Sequence, residues 1–348
     1  MGKNTIIDMR SDTVTLPTCE MLDAITKTPL GDDVMREDPT VNRLESMSAE
    51  IMGKEAALLV PSGTMGNLVS LMAHGGHGQE VLLDEEAHIY WYEQGGLCSI
   101  AGYCPKLIPS NDGIMDPSDI DIAIRSSDIH YPESSLLCLE NTHNRGGGRT
   151  IPPDLFAMLC QTGKRHGLSI HLDGARIFNA AVAYDVDVKT FSKHVDSVQF
   201  CLSKGLSAPV GSIVAGNKEF IGRARRARKR IGGGMRQAGI IAAAGIVALQ
   251  EGPKRLQHDH ANAQLLASLI QEIDGFNLAK TPVTSNMVFL DHSAILSNTE
   301  EIVQELGSNG LLVGAMPPLV RLVTNRMVNE EDMRGAARIL ATVAAKYL

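Results

Sequence analysis

A lysine and an aspartate, each at the end of a short apolar run, carry the most reactive side chains of this sequence. Lys204 follows residues 197–203, a run rich in strand-forming residues. Upstream, a second strand-like run over residues 168–172 ends in Asp173. Strand ends of an open α/β sheet face the ligand crevice, so both side chains are expected at one edge. An amine and an acid there suit pyridoxal phosphate, because the lysine forms a Schiff base with its aldehyde and the acid keeps its ring nitrogen protonated.

A glycine-containing turn near the first third of the chain suits a phosphate group. The strand-like run 56–60 is broken by residues 61–67, and a helix is predicted from there to about Ala73. Backbone N–H groups at such a helix start, together with the helix dipole, favour an anion. The turn lacks the Lys-Ser/Thr ending of a Walker loop, and its glycine spacing does not match a dinucleotide fingerprint. An ordinary connection between strand and helix is the alternative.

Two histidines and one arginine are further candidates. His88 and His143 each follow a strand-like run, and a structural role is the alternative for both. Arg321 lies inside the apolar run 319–323, where an unpaired charge would be costly. We therefore expect an anionic partner for Arg321, either a ligand or a structural carboxylate.

Size and composition limit the class of protein. The 348 residues allow one large or two moderate domains, and the formal charge of −8 argues against a nucleic-acid partner. The six cysteines form no Cys-x-x-Cys pair, which predicts reduced, mostly buried thiols of a cytoplasmic protein. The longest apolar stretch, 238–249, is too short to span a bilayer and predicts a buried helix, so no membrane partner is expected.

The order of elements predicts an α/β protein with a mostly parallel sheet between helices, followed by a smaller α+β part from about Gly275. Thr40 is the expected N-cap of a helix that Gly53 ends. Residues 6–15 are predicted to be irregular. Further helices are predicted over 18–25, 153–167, 237–249, 258–273, 300–306 and 331–347, and C-terminal strands over 287–290 and 319–323.

Two polar segments have competing interpretations. The basic residues between Arg223 and Arg230 suit a solvated helix face, a nucleic-acid surface, or a set of phosphate contacts. The segment 258–260, His-Asp-His, has no third ligand nearby, so it is expected to be solvated and no metal site is predicted.

Taken together, these motifs resemble the low-specificity L-threonine aldolases, a group of β-eliminating lyases. The resemblance covers nearly the whole chain. It departs where the family usually has Tyr-Gly and this chain has Met35-Arg36, and where the family often has His and this chain has Asn325. The matching segments are 10–15, 31–34, 37–42, 61–67, His88, His143, 173–176, 203–206, 208–211, 232–237 and 321–324.

The resemblance implies the fold and the cofactor. The fold would be the pyridoxal-phosphate-dependent transferase fold type I, which is aspartate-aminotransferase-like. Residues 1–250 would form the large cofactor-binding domain, with an N-terminal arm over about 1–40, and residues 251–348 the small domain. A homotetramer with active sites shared across a dimer interface is implied as well.

The resemblance also implies a role for each site residue. Lys204 would carry the cofactor, Asp173 would bind its ring nitrogen, and His88 would stack on its ring. The phosphate would be held by Ser62, Gly63 and Thr64, and across the subunit boundary by Lys229 and Arg236. The substrate carboxylate would be held by Ser11, Arg176 and Arg321, with Arg176 also beside the cofactor. His143 would contact the substrate near its β-hydroxyl, and either His88 or His143 would be the catalytic base.

The implied reaction is retro-aldol cleavage of L-threonine, L-allo-threonine or a related β-hydroxy-α-amino acid to glycine and an aldehyde. An amino-acid racemase or a β-eliminating lyase of the same family is the alternative, because all three begin from the same cofactor and lysine. A binding protein on a retired fold is disfavoured by the intact set of Lys204, Asp173, His88 and His143.

Overall fold

The computed structural model describes residues 6–295 and 297–348 of the chain. The strands are β1 (Ile7–Asp8), β2 (Ala56–Val60), β3 (Glu80–Asp84), β4 (Cys104–Ile108), β5 (Ser110–Asn111), β6 (Ile114–Met115), β7 (Ser134–Glu140), β8 (Ser169–Asp173), β9 (Ser197–Cys201), β10 (Ser212–Gly216), β11 (Asn277–Ala279), β12 (Met287–Asp291), β13 (Leu311–Leu312), β14 (Gly314–Met316) and β15 (Leu319–Val323).

The described helices follow a short 3₁₀ turn at Asp12–Val14. They are α1 (Cys19–Lys27), α2 (Pro39–Met52), α3 (Gly63–His74), α4 (His88–Trp91), α5 (Gly96–Ser99), α6 (Pro117–Ala123), α7 (Pro153–Arg165), α8 (Ile177–Ala183), α9 (Lys189–Ser192), α10 (Lys218–Arg230), α11 (Gly239–Ile270), α12 (Thr299–Ser308) and α13 (Glu330–Tyr347).

A seven-stranded sheet in the order β2-β10-β9-β8-β7-β3-β4 forms the centre of the molecule. The strands from β9 to β4 are parallel, and β10 is antiparallel to both of its neighbours. Strands β3, β9 and β10 are buried along their whole length, as expected where helices cover both faces. The predicted α/β class with a mostly parallel sheet is confirmed, and Asp173 and Lys204 lie at the ends of the adjacent strands β8 and β9.

The start of α2 differs from the prediction. The cap is Asp38 and not Thr40, because the Asp38 carboxylate accepts hydrogen bonds from the backbone N–H groups of Thr40 and Val41, both at 3.0 Å. Pro39 takes the first helical position, where its missing N–H costs nothing. Gly53 ends the helix as predicted, with φ of 61°.

One long helix replaces the two that were predicted between residues 237 and 273. Helix α11 continues through Pro253, and its two halves pack into separate apolar cores, with Leu249 in the first and Leu266 in the second. Packing on both sides outweighs the lost backbone hydrogen bond at the proline. The division between residues 250 and 251 falls inside this helix, and the two-domain boundary stays a prediction.

Two predictions about which residues are buried were wrong. Asp259 and His260 are buried on α11, where the Asp259 carboxylate pairs with Arg255 at 2.7 Å, so this segment is not solvated. The six cysteines are free, but only Cys138, Cys160 and Cys201 are buried, so they are not mostly buried.

The C-terminal part has a four-stranded antiparallel sheet in the order β11-β12-β15-β14. Both strands predicted there are confirmed as β12 and β15. Residues near the N-terminus are not irregular throughout, since β1 pairs in parallel with β13 and buries Ile7 in the C-terminal core. The predicted N-terminal arm also includes residues 1–5, which lie outside the described residues. Among the described helices, none is both long and apolar enough to cross a membrane.

Candidate active site

A small, partly open cavity of about 140 Å³ brings together the residues expected to do chemistry. It lies at the carboxyl ends of the parallel strands, where α/β sheets bind ligands. Its lining includes eight of special interest, which are Ser62, Gly63, Thr64, Asn67, His88, Glu93, Asp173 and Lys204. The sheet edge therefore unites the predicted lysine, acid, histidine and glycine turn.

The first turn of α3 forms one wall of the cavity. The Ser62 hydroxyl caps the helix by accepting a hydrogen bond from the N–H of Met65 at 3.2 Å. Within the described residues, the N–H groups of Gly63 and Thr64 have no protein acceptor. A Cβ atom on Gly63 would lie 2.8 Å from the Cys201 sulfur, so glycine allows the helix start to approach β9 closely. Two free N–H groups at a helix N-terminus can hold a phosphate.

Asp173 forms the floor of the cavity and is buried. One carboxylate oxygen accepts from the N–H of Ala175 at 3.0 Å, and the other from the Asn67 amide at 2.8 Å. No lysine or arginine in the described part of the chain forms an ion pair with it. A buried carboxylate without a cation is costly, which suits a ligand that brings a positive N–H.

His88 lies at the start of α4, and its Nδ1 is 2.9 Å from the Glu93 carboxylate. Burial lowers the pKa of His88, whereas the hydrogen bond to Glu93 and the charges of Asp173 and Glu140 raise it. The raising effects are larger in sum, so the pKa lies above its ordinary value. Burial and the nearby Asp173 raise the pKa of Glu93. His88 Nε2 has no protein partner in the part of the chain that the structure describes, so it is available to a ligand.

His143 is not among the residues that line this cavity, and its predicted contact with the substrate stays a prediction. It is buried, and its Nδ1 accepts a hydrogen bond from the N–H of Gly146 at 3.0 Å. Its Nε2 lies 3.2 Å from Asp84 and 3.7 Å from Glu140, without hydrogen-bond geometry. Burial lowers the pKa of His143, whereas Glu140 and Asp84 raise it. The raising effects are larger in sum, so the pKa lies above its ordinary value. Both ring nitrogens thus face protein groups.

Arg176 is engaged by a protein carboxylate that the sequence reasoning missed. Its guanidinium donates two hydrogen bonds to Asp12, at 2.7 and 2.6 Å, and both residues are buried. Burial raises the pKa of Asp12, whereas the positive charges of Arg176, Lys204 and Arg321 lower it. The lowering effects are larger in sum, so the pKa lies below its ordinary value. Ser11 precedes Asp12 and caps the 3₁₀ turn through the N–H of Thr13. Asp12 therefore lies close to Ser11, Arg176, Lys204 and Arg321.

Arg321 lies in the middle of β15 and differs from Arg176 in one respect. It donates to the side-chain oxygen of Asn144 at 2.9 Å and to the backbone oxygen of Arg10 at 3.2 Å. Within the described residues it forms no ion pair, and its Nε is buried without a partner. Burial and the neighbouring Arg176 lower the pKa of Arg321. A partly buried cation that forms no ion pair with an acid is a candidate site for an anion.

The basic run does not form a uniform solvated face. On α10, Arg228 is buried against Asp33 at 2.7 Å, and Arg225 pairs with Glu45. Lys229 is exposed, and Arg236 is exposed and pairs with Asp32 at 2.8 Å. Neither Lys229 nor Arg236 lines the cavity of this chain.

The donor set fits pyridoxal phosphate. The helix start at Gly63 offers N–H groups to a phosphate, Asp173 offers a carboxylate to a ring N–H, and the Lys204 amine opens on the same cavity. His88, Glu93 and Asp173 also place three potential ligand atoms within 4.8 Å of one another. The Asn67 amide already donates to both carboxylates, and the prediction of no metal stays a prediction.

Comparison with known proteins identifies the family. The model of the beta-eliminating lyase family matches residues 8–293. The chain belongs to the beta-eliminating lyase family. It is 45% identical over 333 residues to low-specificity L-threonine aldolase 1 of Arabidopsis thaliana, covering 94% of this chain and 93% of that protein. It is 41% identical to the low specificity L-threonine aldolase of Escherichia coli K12, covering 95% and 97%.

Solved structures agree on the fold. The threonine aldolase of Leishmania major superposes with a TM-score of 0.84 at 20% identity, covering 97% of this chain and 99% of that one. Serine palmitoyltransferase of Sphingomonas wittichii superposes with a TM-score of 0.79 at 18% identity, covering 98% and 88%. The predicted resemblance to L-threonine aldolases and the predicted fold type I are confirmed for this member of the lyase family.

Sequence reasoning missed the acids and amides that support this lyase site. Asp12, Glu93 and Glu140 are buried charges, and Asn67 and Asn144 are buried amides. Asp12 and Asn67 stand inside motifs that the sequence made conspicuous, next to Ser11 and after the glycine turn. Glu93 and Glu140 carried no such signal, because their partners are fixed only by tertiary contacts.

Proposed function

We propose that this protein is a pyridoxal-phosphate-dependent L-threonine aldolase. It cleaves L-threonine, L-allo-threonine and related β-hydroxy-α-amino acids to glycine and an aldehyde. The observation that carries the proposal is the shared cavity of Lys204, Asp173 and the start of α3 in a chain of the beta-eliminating lyase family. The names of its relatives supply the substrate class.

The cavity residues divide the work of holding the cofactor. Pyridoxal phosphate, when bound, supplies an aldehyde that reacts with amines and a ring that accepts electrons. When the cofactor is bound, the backbone N–H groups of Gly63 and Thr64 would donate to its phosphate, with Ser62 beside them. Asp173 would accept the ring N–H, and Lys204 would provide the amine for covalent attachment. The imidazole of His88 would stack on the ring.

Arg321 holds the substrate carboxylate. Its guanidinium has hydrogen-bond partners on Asn144 and Arg10 that fix its direction, yet no acid in the described residues forms an ion pair with it. Arg176 fixes Asp12 and thereby Ser11, and it can reach a ligand only with the N–H donors that Asp12 does not use. A bidentate arginine contact also orients the amino acid before reaction.

His88 is the base that we propose for the β-hydroxyl proton. Its Nδ1 is engaged by Glu93, so Nε2 accepts the proton, the Cα–Cβ bond breaks, and the hydroxyl oxygen becomes the carbonyl oxygen of the aldehyde. Glycine forms when Cα gains a proton. The alternative base, His143, has both nitrogens facing protein groups. A positioned base contributes about 10²–10⁴-fold to the rate.

A second subunit completes the phosphate site in this proposal. The cavity is lined by no lysine or arginine other than Lys204 among the described residues, whereas Lys229 and Arg236 lie exposed at the end of the basic run. Exposed aromatic residues next to His88, namely Trp91 and Tyr92, provide apolar surface for a subunit contact. A homotetramer built from such dimers, located in the cytoplasm, acts on small amino acids.

Subunit mixing tests this arrangement. Lys204→Ala and Arg236→Ala proteins, each weakly active alone, are expected to regain activity when they are unfolded and refolded together, because the mixed dimer has one site with both residues intact. Light scattering gives the oligomer size. Lack of recovery, with mixed dimers verified by a tag on one chain, would place Arg236 outside the shared site.

Release of glycine and aldehyde from L-threonine and L-allo-threonine tests the reaction, with Lys204→Ala as control. We expect release with the added cofactor and none from the control. If the cofactor binds but no aldehyde appears, the aldolase proposal fails. Alanine racemisation and β-elimination then become the functions to assay, since both use the same lysine and acid.

A further inference from the structure

A chain of hydrogen bonds runs behind Asp173, away from the cavity, and the proposed reaction does not use it. His74 Nε2 lies 2.7 Å from the Ser197 hydroxyl, which lies 2.8 Å from His171 Nδ1. His171 Nε2 lies 3.2 Å from the side-chain oxygen of Asn67. His171 and Asp173 lie two residues apart on β8 and share a face, while Asn67 and His74 lie seven apart on α3 and face the sheet.

Asn67 joins this chain to the catalytic acids. Its amide nitrogen donates to Asp173 and to Glu93, each at 2.8 Å. Its oxygen therefore faces His171 and accepts a hydrogen bond there, because an amide oxygen cannot donate. If the amide were rotated, its oxygen would face two carboxylates. One amide group thus contacts both the acid proposed for the ring nitrogen and the partner of His88.

The direction of every bond follows from the orientation of Asn67. His171 Nε2 carries the hydrogen, so in a neutral ring Nδ1 accepts from the Ser197 hydroxyl, which accepts from His74 Nε2. Burial lowers the pKa of His171 to about 4 and the pKa of His74 to about 3, so both rings are neutral near pH 7. A neutral His171 holds the Asn67 oxygen without adding charge beside Asp173.

We propose that Asn67 is a positioning residue that couples Asp173 to the Glu93–His88 pair, and that His171 fixes the orientation of its amide. The inference rests on the roles proposed above for Asp173 and His88. Both carboxylates then keep a donor when the cofactor is absent, so their lone pairs point to fixed positions before it binds.

Matched variants of His171 separate orientation from packing. Glutamine at this position offers an N–H to the Asn67 oxygen, whereas leucine fills similar space and offers none. The dissociation constant of pyridoxal phosphate for the full-length protein is the readout, measured by absorbance. We expect His171→Leu and Asn67→Ala to weaken binding by about 10- to 100-fold, the equivalent of one hydrogen bond to a charged group. His171→Gln should bind close to the wild-type level.

Ser70→Ala is the control on α3. Ser70 is as buried as Asn67, but its hydroxyl bonds only to the backbone oxygen of Gly66 at 2.8 Å. Cofactor binding by this variant should be unchanged. Thermal unfolding checks that each variant is folded, and if Asn67→Ala is not, the pair of His171 variants decides the question. Equal binding by His171→Leu and His171→Gln would overturn the proposal.

The tautomer of His171 is a second readout, independent of catalysis. Nitrogen-15 NMR of the full-length protein should show His171 neutral with its hydrogen on Nε2. A hydrogen on Nδ1, or a charged ring at pH 7, would overturn the proposed orientation of Asn67. Neither result depends on which reaction the enzyme catalyses, so failure of the aldolase assay and failure of this proposal are distinguishable.

Discussion

Replacing Arg321 by leucine separates a ligand-binding arginine from a structural one. Arg321 is desolvated and, within the described residues, has no acidic partner, so its positive charge is available to the substrate carboxylate. Truncating one partner of a desolvated, hydrogen-bonded charge pair costs about 2–5 kcal/mol. We therefore expect kcat/KM for L-threonine to fall by about 30- to 4,000-fold.

The stability of the same variant should change much less. Arg321→Leu removes two hydrogen bonds, to Asn144 and to the Arg10 backbone, each with a net contribution of about 0.5–1.5 kcal/mol, and it also removes an unpaired charge. Arg176→Leu is the matched comparison, because it breaks the buried pair with Asp12 and should destabilise the fold by about 3–5 kcal/mol.

Urea denaturation of the cofactor-free proteins, beside steady-state kinetics, checks both expectations. The reasoning is refuted if Arg321→Leu keeps kcat/KM within about threefold of wild type. It is also refuted if this variant is destabilised as much as Arg176→Leu, because Arg321 would then be a structural residue with an unrecognised partner.

Three further predictions concern His143, His88 and Arg36. The pKa of His143 is raised in the fold, so its stabilising contribution should be full below about pH 6.5 and should disappear as the pH rises through the folded pKa. Urea denaturation of wild type and His143→Gln across this pH range measures that contribution. A difference in stability that does not change with pH would contradict the prediction. The pKa of His88 is raised too, so kcat/KM should rise with pH along a limb centred above about pH 6.5. Glu93→Gln should move that limb to lower pH, because it removes the contact that raises the pKa of His88 most. An unmoved limb would assign the base to another residue. Arg36 has a φ of 61°, so Arg36→Gly should raise the free energy of unfolding by about 1 kcal/mol, whereas a loss in thermal or urea unfolding would show that its side chain matters more.

The three residues that depart from the family pattern, Met35, Arg36 and Asn325, have separate consequences. Met35 is exposed, and Arg36 adopts the left-handed conformation that glycine takes most easily. Asn325 is buried and donates to the backbone oxygens of Asp8 and Val323. This amide therefore ties the N-terminal strand to the end of β15, a structural contact that the sequence did not suggest.

The short-range sequence pattern predicted those features of the fold that depend on neighbouring residues. The apolar runs before Asp173 and Lys204 and the turn before Gly63 were sufficient to place a parallel sheet and a cavity at its edge, because strand ends and helix starts follow from short-range sequence. The pairing of β1 with β13 joins residues near opposite ends of the chain, and α11 continues through Pro253 because of packing on both halves. Neither contact has a short-range signal.

The charged residues show the same limit more sharply. Arg176 and Arg321 looked alike in sequence as candidates for the substrate carboxylate, yet Asp12 forms an ion pair with Arg176 and not with Arg321. His88 and His143 also looked alike, and only the three-dimensional positions of Glu93, Asp84 and Glu140 distinguish them. Partners of buried charges come from distant segments, so their identity required the structure.

Covalent capture of the cofactor tests the central claim most directly. Borohydride reduction of the protein with pyridoxal phosphate, followed by proteolysis and mass spectrometry, identifies the lysine that carries it. We predict modification of Lys204, at the cavity shared with Asp173 and the start of α3, and its loss in Lys204→Ala. Stoichiometric modification of another lysine, or none at all while Lys204 is intact and the cofactor is bound, would contradict the proposed active site.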